Sequence, residues 1–298
     1  MNAQTASATQ SKHVVRRAAE AITRCGRIHP ALLASAGFAA SLFVSAPAFA
    51  AVAPNLGTAA SFTALGTNAI PTSGTVTCTN TGLGSTINGD VGSTFTSITN
   101  PACTITGAIV TPVAASVVTA FNNAYSSVPV LNPVCTGVIP TVTTTLAPGV
   151  YCSVAGTTIG AGVILTLNGT ASDVWVFRIG TGGLGALTLT GAQVVPGGTA
   201  QACNVFWETA QDATLTDSAF IGTILSGGAV TTTRGNYLGR AIATTDVTVT
   251  DAGPMTFAGC AAGGLGGGAV PALSEWAMIM LAALLAIAGF AAMRRQAR

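Results

Sequence analysis

Thr214-Leu215-Thr216, Thr231-Thr232-Thr233 and Thr248-Val249-Thr250 recur at a constant interval of 17 residues. A fixed period of this size marks a solenoid, in which each coil stacks on the one before it. Strand alternation places the two outer residues of a triplet on one face and the middle residue on the other. The middle residues, Leu215, Thr232 and Val249, are mostly apolar and suit an interior. The outer threonines then stack into a ladder that faces solvent. Residues 51–260 hold 41 threonines, so one such triplet means little, whereas three in strict register mean more.

Two similar stretches, Leu165-Thr166-Leu167-Asn168 and Leu187-Thr188-Leu189-Thr190, precede the triplets at irregular spacing, as expected where coils carry loop insertions. A second strand type alternates with the ladder strands: Val174-Trp175-Val176-Phe177, Asn204-Val205-Phe206-Trp207, and the apolar runs at 220–224 and 237–242. These are apolar on both faces, which requires burial on both sides. The spacing predicts a covering helix over 112–127. Thr111 is placed to cap it, Pro112 suits its first position, and Val113, Val117, Phe121 and Tyr125 form a stripe at every fourth residue. The segment 56–65 is placed to cap a solenoid end or pair with a late coil. The expected fold is all-β, a parallel solenoid with one α-helix alongside.

The formal charge of +2 is unevenly spread. Between residues 51 and 271 only Arg178, Arg234 and Arg240 are basic, against Asp90, Asp173, Glu208, Asp212, Asp217, Asp246 and Asp251. An acidic domain without lysine lacks the basic footprint of a nucleic-acid binder. Both histidines, His13 and His29, lie near the N-terminus, so the domain has no histidine to activate a nucleophile or bind zinc. The acid pairs Asp212/Asp217 and Asp246/Asp251 read as turn residues. Asn88-Gly89-Asp90 supplies too few carboxylates for calcium. Trp175, Phe177, Phe206 and Trp207 read as core rather than as a sugar platform. Neither an enzyme nor a cofactor or metal site is expected.

Residues 1–50 read as an export signal: a basic leader to Arg27, an apolar run, and the small-x-small sequence Ala48-Phe49-Ala50. The domain then spans 51–261, followed by a Gly-rich linker at 262–269. Residues 277–293 are apolar and uncharged, about 26 Å long as a helix, with Trp276 before them and Arg294-Arg295 after. That arrangement predicts a membrane-spanning tail. Six cysteines remain beyond the signal: Cys78, Cys103, Cys135, Cys152, Cys203 and Cys260. An even number in an exported chain points to disulfides, and six allow 15 connectivities. Sequential pairing is favoured because the first two pairs close local loops.

The stretches 56–62, 87–92, Leu146-Ala147-Pro148-Gly149-Val150-Tyr151, 174–180, Ala202-Cys203-Asn204-Val205-Phe206-Trp207, 220–225 and Gly239-Arg240-Ala241-Ile242-Ala243, in that order along the chain, together resemble the DUF3494 ice-binding family. The resemblance implies a discontinuous right-handed parallel β-helix with an accompanying helix. It also implies T-x-x-(T/N) turns along an ice-facing side. The corresponding stretches are Thr216-Asp217-Ser218-Ala219, Thr233-Arg234-Gly235-Asn236 and Thr250-Asp251-Ala252-Gly253, and the second keeps both ends. The tail, with Val270-Pro271-Ala272-Leu273-Ser274-Glu275-Trp276, is similar to the IPTL-CTERM sorting signal. That similarity implies a Gram-negative envelope protein, held in the membrane by its C-terminal helix until a sorting protease processes or releases it.

Two functional readings follow. In the first, Thr188, Thr190, Thr214, Thr216, Thr231, Thr233, Asn236, Thr248 and Thr250 bind ice or ordered water. Each threonine pairs a methyl with a hydroxyl, on a grid of roughly 4.8 by 6.6 Å. In the second, the same fold serves as a non-catalytic surface adhesin or structural protein, and the threonines are simply a solvated sheet.

Overall fold

A computed structural model describes residues 50–257 except 69–73, 83, 96, 97 and 101. The leader, Cys260, the linker and the sorting tail lie outside the described residues. The strands run in chain order. The first six are β1 (Phe62–Gly66), β2 (Val76–Thr79), β3 (Thr86–Asn88), β4 (Asp90–Ser93), β5 (Thr104–Ile105) and β6 (Ile109–Val110). Helix α1 (Ala115–Leu131) follows, then β7 (Gly137–Val138), β8 (Thr144–Leu146), β9 (Gly149–Ser153), β10 (Thr157–Ile159), β11 (Ile164–Gly169) and β12 (Trp175–Ile179). The series continues with β13 (Leu187–Thr190), β14 (Gln193–Gly198), β15 (Val205–Thr209), β16 (Ala213–Ser226), β17 (Val230–Ala243), β18 (Val247–Thr250) and β19 (Met255–Thr256).

All strand pairings are parallel, and they sort into three faces of a solenoid. The threonine face stacks β10, β13, the first third of β16 and of β17, then β18 and β2. The second face stacks β8, β11, β14, the middle of β16 and β17, then β19, β3 and β5. The helix-covered face stacks β7, β9, β12, β15, the last third of β16 and β17, then β1, β4 and β6. In the two regular coils, β16 and β17, one unbroken strand wraps all three faces. Gly222 and Gly239 sit at the same corner there; a Cβ on Gly222 would come within 2.8 Å of Val205, and one on Gly239 would collide with the Gly222 carbonyl.

The winding is discontinuous. β1 to β6 occupy the last rungs, next to β17, β18 and β19, although they come first in sequence. β1 pairs with β17 through Ala64↔Ala241, Leu65↔Ile242 and Gly66↔Ala243. Helix α1 then carries the chain from β6 back to β7 at the far end. Its 17 residues span about 26 Å, close to the ~24 Å covered by five strand spacings. That length explains its footprint: Val117, Phe121, Ala124 and Val128 pack on Cys152, Val176, Phe206, Leu225, Ile242 and Leu65, one residue from each of six successive strands. The doubly apolar strands are therefore buried between the helix and the interior, as their composition requires.

The helix boundaries differ from the expected ones. Val113 still donates its N–H to Ser93 O at 2.8 Å, which keeps that stretch extended along β4. The helix therefore starts at Ala115, with Ala114 rather than Thr111 at the cap position. It runs on through Pro129 to Leu131, because only the last turn is affected by the missing donor. Asn132 closes the end. Its side chain accepts from Val52 N at 2.8 Å and donates to Val52 O and Val128 O, tying the first described residues to the helix.

Inside the solenoid the aromatic side chains stack in a column: Tyr151 on Phe177, Phe177 on Trp207 at 3.8 Å between nearly parallel rings, then Phe220 and Tyr237. Trp175, Phe177 and Trp207 are completely buried there, and Phe206 faces the helix. Disulfides join Cys78 to Cys103 and Cys135 to Cys152. Cys203 is also disulfide-bonded, and its expected partner, Cys260, lies outside the described residues.

Candidate functional site

The register of the threonine face builds two rows. The first contains Thr158, Thr188, Thr214, Thr231, Thr248 and Thr77, each paired with the next, and it ends on Thr99, bridged to Thr77. The second contains Thr190, Thr216, Thr233, Thr250 and Thr79. Every residue of both rows is half-buried or exposed. Leu189, Leu215, Thr232, Val249 and Cys78 lie between the rows and point inward, all buried. The alternation in the triplets thus sets which atoms meet solvent: hydroxyls and methyls outside, the aliphatic column within. Neighbours along a row stand about 4.8 Å apart and the rows about 6.6 Å apart.

Two strands read as ladder members from sequence fare differently. Leu187–Thr190 joins the face through Thr188↔Thr214. Leu165–Asn168 does not; Thr166 pairs with Thr145 and Val195 on the second face. The strand that continues the row is β10, through Thr158. Asn236 is likewise off the ladder. It is exposed and pairs with Ala219 on the second face, because the chain turns at Arg234, whose φ is 53°. The T-x-x-N stretch therefore spans a corner instead of extending a row.

Thr77, Thr79, Thr99 and Thr158 belong to the rows but were not singled out by the period. Thr77-Cys78-Thr79 has the right form, an apolar residue between two threonines. Its distance from Thr248 along the chain hides its place beside β18.

The corner next to the second row is repeated: Gly191, Asp217, Arg234 and Asp251 hold equivalent positions with φ of 63°, 50°, 53° and 48°. The charges there do not project singly. Arg234 Nε and Nη2 donate to the two oxygens of Asp217 at 2.5 and 2.8 Å. This hydrogen bond holds the Asp217 carboxyl below its ordinary pKa. Asp251 is mostly buried and accepts from Thr81 N at 2.6 Å and from the Thr81 hydroxyl. Asp212 accepts from Ala229 N at 2.8 Å, and Asp246 from the backbone and hydroxyl of Thr75 at 2.9 Å. Each of these acids fixes a turn. Among the described residues no three His, Cys, Asp or Glu side chains gather as a metal site would require.

The two rows thus form a regular face of threonine hydroxyls and methyls on a disulfide-braced solenoid. The sequence profile of the family described as Ice-binding-like matches residues 51–253. The chain belongs to the ice-binding-like family. The profile of the IPTL-CTERM motif matches residues 269–295. Over 108 residues the ice-binding-like chain is 36% identical to an ice-binding protein of Flavobacterium frigoris strain PS1, covering 35% of this chain and 37% of that one. It superposes on an ice-binding protein from an Antarctic Flavobacteriaceae bacterium with a TM-score of 0.59 and 30% identity, over 74% of this chain and 52% of that one. An ice-binding protein from the Antarctic ascomycete Antarctomyces psychrotrophicus gives a TM-score of 0.57 and 26% identity, over 70% of this chain and all of that one. The match thus spans little more than a third of the Flavobacterium frigoris protein and about half of the Flavobacteriaceae structure. Among the described residues no helix is long and apolar enough to cross a membrane; the apolar stretch expected to do so lies outside them.

Proposed function

We propose that this chain binds ice through the two threonine rows, and that it is exported and tethered at the cell surface by its sorting tail. The observation that carries the reading is the unbroken register from Thr158 to Thr99, which joins coils from both ends of the sequence into one surface. Methyl groups on such a surface favour the exclusion of bulk water, while the hydroxyls hydrogen-bond to waters held between them. Waters held at a fixed spacing match a growing crystal without reorganising. The chemistry needs no catalytic group; it needs stiffness, which the parallel coils, the aromatic column and the disulfides supply.

Tethering rests on the IPTL-CTERM match at 269–295, and a sorting protease acting there is part of the proposal. Adhesion of the cell to ice would follow from the two properties together. Thermal hysteresis and recrystallisation inhibition of the purified chain test the reading. The Thr231→Tyr/Thr248→Tyr variant should lose most of both activities with an unchanged circular dichroism spectrum. A folded wild-type chain that leaves ice growth unaltered favours a purely adhesive role.

A further inference from the structure

We infer that Asp246 and Asp251 are positioning residues for the threonine face: together they clamp β2 in register on β18, at the seam where late and early coils meet. The positioning role rests on the ice-binding reading; the clamp itself concerns register alone. From β16 to β18 the ladder strands follow one another along the chain, and their turns bring them into line. Across the seam no such link exists, because the contacting residues lie 170 to 172 positions apart. The corner acids of the preceding coils show the device in its local form. Asp212 accepts from Ala229 N and Asp217 from Arg234 Nε, each 17 residues on. Asp246 and Asp251 hold the equivalent corners two coils later, where the next rung is the early strand. Asp246 Oδ1 accepts from Gly74 N, Thr75 N and the Thr75 hydroxyl, all at 2.9 Å. Asp251 accepts from Thr81 N at 2.6 Å and from the Thr81 hydroxyl. One acid thus grips the chain just before β2 and the other just after it.

Register at this seam decides what the rows present. β2 is four residues long, so its own ladder bonds to β18 are few. A slip of one residue would turn Thr77 and Thr79 inward and Cys78 outward. Cys78 is fully buried and bonded to Cys103, and Thr99 joins the first row through Thr77. The seam therefore places Thr77, Thr79 and Thr99 together. Hydrogen bonds from backbone N–H groups to a carboxylate are stronger than those to a neutral acceptor. Here they flank two backbone bonds across the seam, Val247 N to Thr75 O at 2.9 Å and Asp251 N to Thr79 O at 3.0 Å.

Hydrogen exchange on the purified full chain tests the clamp without reference to ice. Asp246→Ala/Asp251→Gly removes both carboxylates, and glycine suits position 251, whose φ is 48°. Neither substitution removes the acceptor of the Val247 N–H, yet this amide should exchange at least about tenfold faster than in the wild type. The matching bond between consecutive coils, Ala213 N to Ala229 O, should keep its protection. Asp246→Ala alone, which keeps the grip on Thr81, should give a smaller increase at Val247. Asp246→Asn/Asp251→Asn should restore protection, since the amide oxygen accepts the same backbone N–H groups. Ice-growth assays then read the consequence. In Asp246→Ala/Asp251→Gly, adding Thr77→Tyr should cost no further activity, whereas adding Thr214→Tyr still should. Unchanged exchange at Val247 overturns the clamp whether or not the chain binds ice. Faster exchange with ice activity and the Thr77→Tyr effect both intact overturns the positioning role. A wild-type chain inert towards ice removes the ice-binding reading and the positioning role with it, while the exchange result still decides the clamp.

Discussion

Arg234 sits one coil beyond Asp217 and grips both of its carboxylate oxygens, at 2.5 and 2.8 Å, at the corner beside the second threonine row. The pair turns two charges into a neutral, geometrically fixed unit at the edge of the proposed ice-facing surface. Both side chains are nearly half exposed, so their contribution to stability is small. Their effect on hydration is larger, because an unpaired carboxylate binds water strongly and in its own geometry. Arg234→Ala should therefore reduce thermal hysteresis while leaving the melting temperature nearly unchanged. The neutral double variant Asp217→Asn/Arg234→Gln should recover much of the activity. Equal loss in both variants would count against the hydration argument.

The threonine rows include coils drawn from both ends of the sequence. A bulky residue in the early coil should disturb the same surface as one in the late coil. Thr77→Tyr is expected to lower ice activity as strongly as Thr248→Tyr, its neighbour in the row. Thr166→Tyr, on the second face, should leave activity intact. Ice-growth assays on the three single variants distinguish the faces.

Thr232 occupies an interior position between Leu215 and Val249, and its hydroxyl has no hydrogen-bond partner. A buried hydroxyl without a partner carries a desolvation penalty of about 1–3 kcal/mol. Thr232→Val keeps the shape and removes the penalty. Unfolding in urea should show a gain of about 1 kcal/mol, with ice activity unchanged because the side chain points away from the surface.

Phe121 is fully buried against the helix-covered face. Phe121→Ala removes the ring at the middle of the helix that spans the stack. The expected loss is ~3–5 kcal/mol, read from the urea midpoint. The loss should exceed that from Val130→Ala, whose side chain is exposed on the same helix.

Burial pushes the Glu208 carboxyl above its ordinary pKa, and the hydrogen bond and charge of Arg178 offset only part of that effect. The folded state thus holds this proton more tightly than the unfolded state does. The contribution to stability is fully present below the unfolded glutamate pKa and declines as pH rises through the raised folded value. Melting temperatures of wild type and Glu208→Gln, measured from pH 4 upward, should diverge in favour of Gln as pH increases, most steeply just above the ordinary carboxylate range.

The sequence by itself determined the local structure: strand alternation, the 17-residue coil, the outward threonines and the inward aliphatic column. It did so because the side-chain period of a strand is fixed by backbone geometry, and consecutive coils such as those at 214 and 231 are covalently adjacent. It also marked the strands that needed covering and supplied the Val117–Phe121 stripe to cover them. Tertiary structure alone decided which coils share a face. Parallel pairing of β1 with β17 and of β2 with β18 closes loops of well over a hundred residues, and no local pattern encodes such a partner. The same long-range stacking sends Thr166 and Asn236 to the second face and brings Thr77, Thr79, Thr99 and Thr158 into the rows. The position of a threonine in the rows follows from the register of the whole stack, which is settled only when the interior is packed.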